Sequence, residues 1–238
     1  MSGGGGSIAA VLFDLDDTLF LQEQWLAGAW GYVADVGESA GLAAEPLLQA
    51  LHAIAAEGSD KGGIIDRALE ATGGPVYLVP TLVAAFRGWR ADRLEPIPGV
   101  VDMLAALRGR LPIGLVTDGE PGIQRNKITA LGLQAAFDVV VISDELGRGL
   151  RKPSPVPFLR AADALGVAPA AVVMVGDRPN KDVDGAHAAG MRAARVRTGE
   201  YRHLADRPGQ MVSATDVVAA VHLLEPDLGG TLHPRRRL

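Results

Sequence analysis

The chain has 238 residues, 48% of them hydrophobic and 21% charged, with aromatics at only 5%. This is a globular profile with a largely aliphatic core, long enough for one α/β domain plus a smaller one. A net charge of −5 argues against a nucleic-acid polymer as partner, because phosphate backbones demand clustered Lys and Arg. The one basic cluster, Arg235-Arg236-Arg237, reads as a solvated tail. The absence of cysteine excludes disulfides and thiol catalysis. No apolar run approaches the roughly 18 residues of a membrane span. Residues 1–7 are glycine-rich, lack the basic and apolar regions of a signal peptide and read as a flexible lead-in. The expected setting is the cytoplasm.

Taken in chain order, Ile8 to Phe13 is an apolar run that predicts a buried strand, and it stops at Asp14-Leu15-Asp16-Asp17-Thr18. Like charges crowded at the end of a core strand destabilise it unless something cationic neutralises them. Side chains two apart on extended backbone point the same way, so Asp14 and Asp16 can face one small volume, while Asp17 points away in a structural role. A divalent ion there would turn the charge problem into a site with a nucleophile and a proton donor. The plainer alternative is a strand followed by an acidic turn that caps a helix.

From 21 to 95 the pattern is helical. Trp25, Ala29, Tyr32 and Val33 recur at helical spacing. Glu45-Pro46 opens a second helix with Leu47, Leu51 and Ile54 on its apolar face, broken at Gly58-Ser59-Asp60. Ile64 to Leu69 marks a third, and Leu82, Val83, Phe86 and Trp89 a fourth; together they predict a small bundle. After the stiff segment Glu95-Pro96-Ile97-Pro98-Gly99 the pattern becomes alternating. Helices are expected over Val100–Leu107, Ile123–Leu131, Pro155–Leu165, Val183–Ala189 and Asp216–Leu224. Strands are expected over Pro112–Thr117, Asp138–Ser143, Ala171–Val175 and Arg192–Val196, the last read as the final core strand. Alternating strands and helices imply a Rossmann-like parallel sheet with right-handed crossovers. The expected organisation is an α/β core from 1–20 and 96–238, interrupted by a helical cap at 21–95.

Ligands of open parallel sheets bind at the carboxyl ends of the strands, and four such ends or loops carry polar residues suited to phosphate. Asp14-x-Asp16-x-Thr18 comes first, then Thr117-Asp118, then Lys152-Pro153, then Gly176-Asp177-x4-Asp182. Thr117 offers a hydroxyl and nearby backbone amides to phosphate oxygens. Lys152 can neutralise both a phosphate and a carboxylate nucleophile. Asp177 and Asp182 can complete an oxygen-rich Mg²⁺ shell with Asp14.

These four motifs, in this order, resemble the haloacid dehalogenase superfamily, and the resemblance runs from about Ile8 to Val196. It implies that Asp14 attacks phosphorus and forms an aspartyl-phosphate. Asp16 would protonate the leaving oxygen and then activate water; to do so it must hold a proton near neutral pH, which carboxylate neighbours and partial burial would favour. Mg²⁺ would be held by Asp14, the Asp16 backbone carbonyl, Asp177 and Asp182, with Thr117, Asp118 and Lys152 on the phosphate. Asp16 favours phosphate esters over haloacids, because departure of a halide needs no acid. Position 118 departs from the asparagine usual in the family's phosphatases, and an aspartate side chain facing the site would add charge beside the phosphate.

The resemblance also implies a cap that closes over the site and sets specificity. Lys61, Arg87, Trp89 and Arg90 are candidate contacts there, although each reads more strongly as bundle surface or core. His52, His187, His203, His222 and His233 have no ligand-like spacing. The expected activity is a Mg²⁺-dependent phosphatase acting on a small soluble phosphomonoester, of sugar phosphate, nucleoside monophosphate or phosphoglycolate type, without a nucleic-acid or membrane partner. A phosphomutase or a non-catalytic binding relative are the alternatives, and a homodimer is left open.

Overall fold

The computed structural model describes residues 7–58 and 61–229, so the readings of the glycine-rich start, of Ser59-Asp60, of His233 and of the arginine tail lie outside the described residues. The chain divides into two compact units, one of Met1–Gln22 with Arg93–Leu238 and the other of Glu23–Asp92.

The first unit is built on β1 (Ala10–Phe13), β2 (Ile113–Thr117), β3 (Val139–Ile142), β4 (Val172–Gly176), β5 (Arg192–Val196) and β6 (Val212–Ala214). Among the described residues these form one sheet in the order β3-β2-β1-β4-β5-β6, with every pairing parallel. All four residues of β1 and all five of β2 and of β4 are buried, as expected of central parallel strands covered on both faces. Ala10 and Leu12 of β1 join a cluster with Val116, Met174, Phe158, Ala161, Ala162 and Ala186. Strand alternation then turns Val11 and Phe13 to the opposite layer.

The chain builds outward from β1 in two directions, first to β2 and β3 and then to β4, β5 and β6. That reversal opens a crevice at the carboxyl ends of β1, β2 and β4. Register lines up those ends: Phe13 pairs with both Leu115 and Val175. Asp14, Thr117 and Asp177 therefore come within about one residue of a common level.

Three expectations are corrected here. Arg192–Val196 is not the last strand, because β6 pairs with its outer edge through Val196 and Ala214; three residues, Val-Ser-Ala, are too few to show a period in sequence. The expected strand over Asp138–Ser143 stops at Ile142, and Ser143 opens a short helix (Ser143–Leu146). The helix expected from Val183 begins earlier, with a widened turn over Pro179–Val183 that runs into Asp184–Ala188.

The second unit packs α1 (Glu23–Ser39), α2 (Ala44–Ala55), α3 (Ile64–Ala71) and α4 (Val79–Gly88) around Val33, Leu47, Leu51, Ile54, Ile65, Leu69 and Leu82. Trp30 stacks on Phe86 at 4.6 Å between ring centroids, and Trp25 meets the same ring edge-on at 5.2 Å. Trp89 follows α4 and lies against Gly28 and Tyr32, which makes it part of the helical packing.

Gly114 tests how tightly the sheet is packed. A Cβ there would lie 2.7 Å from Val139 Cγ1 and 2.8 Å from Leu12 Cδ2, both inside the core. Gly114→Ala is expected to destabilise the sheet unit by about 1–3 kcal/mol through overpacking, read from the urea midpoint of its unfolding transition.

Candidate active site

In the first unit, Asp14 follows β1, and its backbone N–H donates to the Val175 carbonyl at 3.0 Å, which fixes where the side chain leaves the sheet. Lys152 meets it from the loop ahead of the helix Val156–Leu165. The Lys152 ammonium donates to Asp14 Oδ1 at 2.5 Å, to Asp182 Oδ1 at 2.7 Å and to the Val116 carbonyl at 3.2 Å. All three of its donors are used. The three side chains are almost wholly buried, so the charges are an integral part of the core and are not a surface ion pair.

Asp182 is held on its other oxygen by the Arg178 backbone N–H at 2.9 Å. It approaches the end of β4 so closely that a Cβ on Gly176 would lie 2.4 Å from its carboxyl carbon, which explains the glycine of the Gly176-Asp177 pair. Asp177 is 1% exposed, and its Oδ1 has no hydrogen-bond partner. Ligand oxygens of Asp14, Asp177 and Asp182 lie within 4.8 Å of one another. An unsatisfied buried carboxylate oxygen beside two further carboxylates is the donor set of a hard divalent cation. The residues fit such an ion.

The electrostatics say the same. Burial pushes Asp14 up from 3.8 to about 7; the Lys152 ammonium opposes the rise, and the Asp182 and Asp16 charges add to it. Burial, followed by the Asp182, Asp14 and Asp17 charges, raises the Asp177 pKa well above its ordinary value. Burial works against the Lys152 ammonium, but Asp14, Asp182 and Asp118 outweigh it and raise its pKa.

Asp16 sits on the turn after β1, partly buried. Carboxylates and burial were the surroundings expected for it, yet a cation lies beside it. Lys127 Nζ is 2.6 Å from Asp16 Oδ1, and Gln124 Nε2 is 3.0 Å from Asp16 Oδ2. Both come from the helix α6 (Pro121–Ala130), which follows β2 as the helix α5 (Val100–Arg108) precedes it. Gln124 also donates to Thr117 Oγ1 at 2.6 Å.

Asp118 keeps its carboxylate engaged: it accepts from the Ser143 hydroxyl at 2.7 Å, the Lys152 backbone N–H at 3.0 Å and Lys181 Nζ at 3.1 Å. Burial opposes its charge, but Lys152, Ser143 and Lys181 prevail and lower its pKa. Its negative charge is thus compensated from the loop after β4. Asp17 accepts from the Gln22 N–H at 2.9 Å and the Glu200 N–H at 3.3 Å, and the Thr198 hydroxyl donates to its carbonyl. Asp17 has φ 56°, and a Cβ on Gly199 would overlap its carboxylate, so it staples the turn to the segment after β5.

The structure therefore brings Asp14, Asp16, Thr117, Asp118, Lys152, Asp177 and Asp182 together at one end of the sheet. Gln124, Lys127, Ser143 and Lys181 escaped the sequence reading. Only Gln124 and Lys127 left a signal: two long polar residues on the face of α6 shared with Ile123, Ile128 and Leu131, where a helix on a sheet should be apolar.

The family model for haloacid dehalogenase-like hydrolases matches residues 8–190. The chain belongs to that family. Among curated proteins it is 37% identical over 208 residues to the glyceraldehyde 3-phosphate phosphatase of Methanopyrus kandleri, covering 84% of this chain and 88% of that one. It is 42% identical over 156 residues to the phosphoserine phosphatase of Thermus thermophilus, covering 65% and 60%. Among solved structures it superposes on a HAD phosphatase from Thermococcus onnurineus with TM-score 0.63 at 25% identity, over 94% of this chain and 100% of that one. The 2-haloacid dehalogenase of Pseudomonas syringae pv. Tomato gives TM-score 0.64 at 26% identity, over 92% and 99%.

The raised pKa of Asp14 carries a sign. Its folded value of about 7 exceeds the unfolded 3.8, so its contribution to stability is full below about pH 4 and is lost as pH rises through about 7. In chelator, Asp14→Asn is expected to gain stability relative to wild type as pH rises through that window. Urea unfolding at several pH values measures the difference, and a constant difference would contradict the assignment.

Proposed function

We propose that this phosphatase hydrolyses a small phosphomonoester by transferring the phosphoryl group to Asp14 and then to water. The observation that carries the reading is the pair Asp14 and Asp16 on one turn, each joined to its own buried lysine. A haloacid needs only the nucleophile; a phosphate ester whose alkoxide must leave needs an acid as well.

In this reading an Asp14 carboxylate oxygen attacks phosphorus in line with the departing oxygen. Asp16 delivers a proton to that oxygen and afterwards takes one from the water that attacks the aspartyl-phosphate. Lys152 and Thr117 position the phosphoryl oxygens and spread their charge, together with the backbone N–H of Asp118, whose side chain is turned to Ser143 and Lys181. Asp14, Asp177, Asp182 and the Asp16 carbonyl would hold Mg²⁺, which supplies charge stabilisation to the phosphoryl group. All three Lys152 donors are engaged here, so in this reading Lys152 meets the phosphate by turning one of them, the donor to Asp14, to a phosphoryl oxygen as Asp14 attacks.

The substrate class proposed is a small, polar phosphate ester of the size of glyceraldehyde 3-phosphate, phosphoglycolate or a sugar phosphate. The glyceraldehyde 3-phosphate phosphatase relative, matched over most of its length, supports the small end of that range. All four motifs lie in the sheet unit, so we assign the chemistry there and the choice of substrate to the helical unit as its cap. No helix among the described residues is long and apolar enough to cross a membrane, in keeping with a soluble substrate and the cytoplasmic setting we propose.

Asp14→Asn is expected to reduce phosphate release from p-nitrophenyl phosphate to background while the protein remains folded. Chelation should abolish wild-type turnover and added Mg²⁺ restore it. Retained turnover in either arm would contradict the mechanism. A panel of three- to six-carbon phosphate esters, compared by kcat/KM, is expected to favour the shorter members.

A further inference from the structure

We propose that Gln124 and Lys127 of α6 are positioning residues that hold the Asp16 carboxylate in the orientation from which it serves the departing oxygen. The inference rests on the reading of Asp16 as acid and base given above.

Each oxygen of the Asp16 carboxylate has its own donor, Lys127 Nζ at 2.6 Å on Oδ1 and Gln124 Nε2 at 3.0 Å on Oδ2. Two donors on two oxygens fix the rotation of the carboxylate plane, which a single partner would leave free. Asp16 needs such support because it lies on a turn rather than in β1, and its side chain keeps 19% exposure where those of Lys127 and Lys152 keep 4% and 3%. The Gln124 amide has two N–H groups, and its second contact, 2.6 Å to Thr117 Oγ1, ties the proton donor to a residue of the phosphate site on the neighbouring strand. One side chain thereby sets the spacing between the two.

The donors themselves are rigid. They are three residues apart on one helix, so they project from the same face. The first turn of that helix is capped by the Glu120 carboxylate, which accepts from the Ile123 N–H at 2.8 Å. The Lys127 ammonium also lies 5.9 Å from the centroid of the Phe20 ring, just beyond the same turn. Gln124 is 2% exposed and Lys127 3%. A buried ion pair of this kind gives little stability over a well-packed apolar pair and frequently less. Leucines at 124 and 127 would suit the α6 face that already carries Ile123 and Ile128. The polar pair is costly as packing and useful as placement, since a misplacement of about 1 Å in a reacting group can cost about 100-fold in rate.

The test separates positioning from general structural support by varying the leaving group. A p-nitrophenolate leaves without protonation, whereas a phenolate of higher basicity needs the acid. kcat/KM, which reports transfer to Asp14, is measured with Mg²⁺ for p-nitrophenyl phosphate and phenyl phosphate. The variants are Lys127→Met, Lys127→Arg, Gln124→Met, Asp16→Asn and the double variant Asp16→Asn with Lys127→Met, each checked for folding by circular dichroism. Lys127→Met is expected to lose about 10-fold or less on p-nitrophenyl phosphate and on the order of 100-fold or more on phenyl phosphate. Lys127→Arg should recover part of that difference, and the double variant should be no worse than Asp16→Asn alone. Gln124→Met should show the same selectivity for the leaving group with a smaller loss, and it preserves the test if Lys127→Met does not fold. Equal losses on both substrates in the α6 variants, with Asp16→Asn still selective, would overturn the positioning role and leave the role of Asp16 intact. Asp16→Asn losing equally on both substrates would overturn the reading of Asp16 itself.

Discussion

The Lys152 ammonium between Asp14 and Asp182 is the contact on which the site depends. Four carboxylates, of Asp14, Asp16, Asp177 and Asp182, converge at the end of a buried sheet, and desolvation alone would force them to protonate or push apart. Lys152 compensates two of them from the core side and Lys127 a third from α6. Asp177 is left with a buried oxygen that no donor satisfies. Counted as ionised, the four carboxylates carry two more negative charges than the two lysines balance, and that surplus is the requirement a divalent cation would meet. Removing Lys152 would strand two charges at once, so its role in stability cannot be separated from its role at the site.

The sheet makes this arrangement attainable. Reversal of strand order around β1 brings loops from β1, β2 and β4 to one edge without any of them having to be long. Two glycines then permit approaches that any side chain would block: Gly176 lets Asp182 close on the end of β4, and Gly199 lets the chain pass Asp17. Asp118 performs a similar linking task with its charge, joining the loop after β2 to Lys181 after β4 and to the backbone of Lys152. An asparagine there could accept from the Ser143 hydroxyl and the Lys152 N–H but would not pair with the lysine ammonium as an ion.

What was legible in the sequence was local. Apolar runs ending in Asp14, in Thr117 and in Gly176-Asp177 are short-range patterns, and a parallel sheet brings such ends together whatever the remaining detail. The partners of Asp16 were not legible, because a lysine on a helix is ordinarily solvated and only the packing of α6 decides that Lys127 turns inward. The same holds for Ser143, read as the end of a strand, and for Lys181, one of many basic residues near a loop. β6 was missed for a different reason: three residues at a sheet edge acquire their pairing from β5 and carry no period of their own. Asp17 was expected in a structural role and has one, but the left-handed turn at Asp17 and its bonds to Gln22 and Glu200 set its direction, and the bond to Glu200 joins segments far apart in sequence.

The central claim is that Asp14 becomes covalently phosphorylated during turnover. Rapid acid quenching of the enzyme in steady state with p-nitrophenyl phosphate, followed by mass spectrometry of the peptide containing Asp14, tests it most directly. The account predicts a phosphoryl adduct on Asp14 that forms within one turnover and decays as substrate is exhausted. Full turnover with no adduct on Asp14, or with the adduct on another residue, would contradict it.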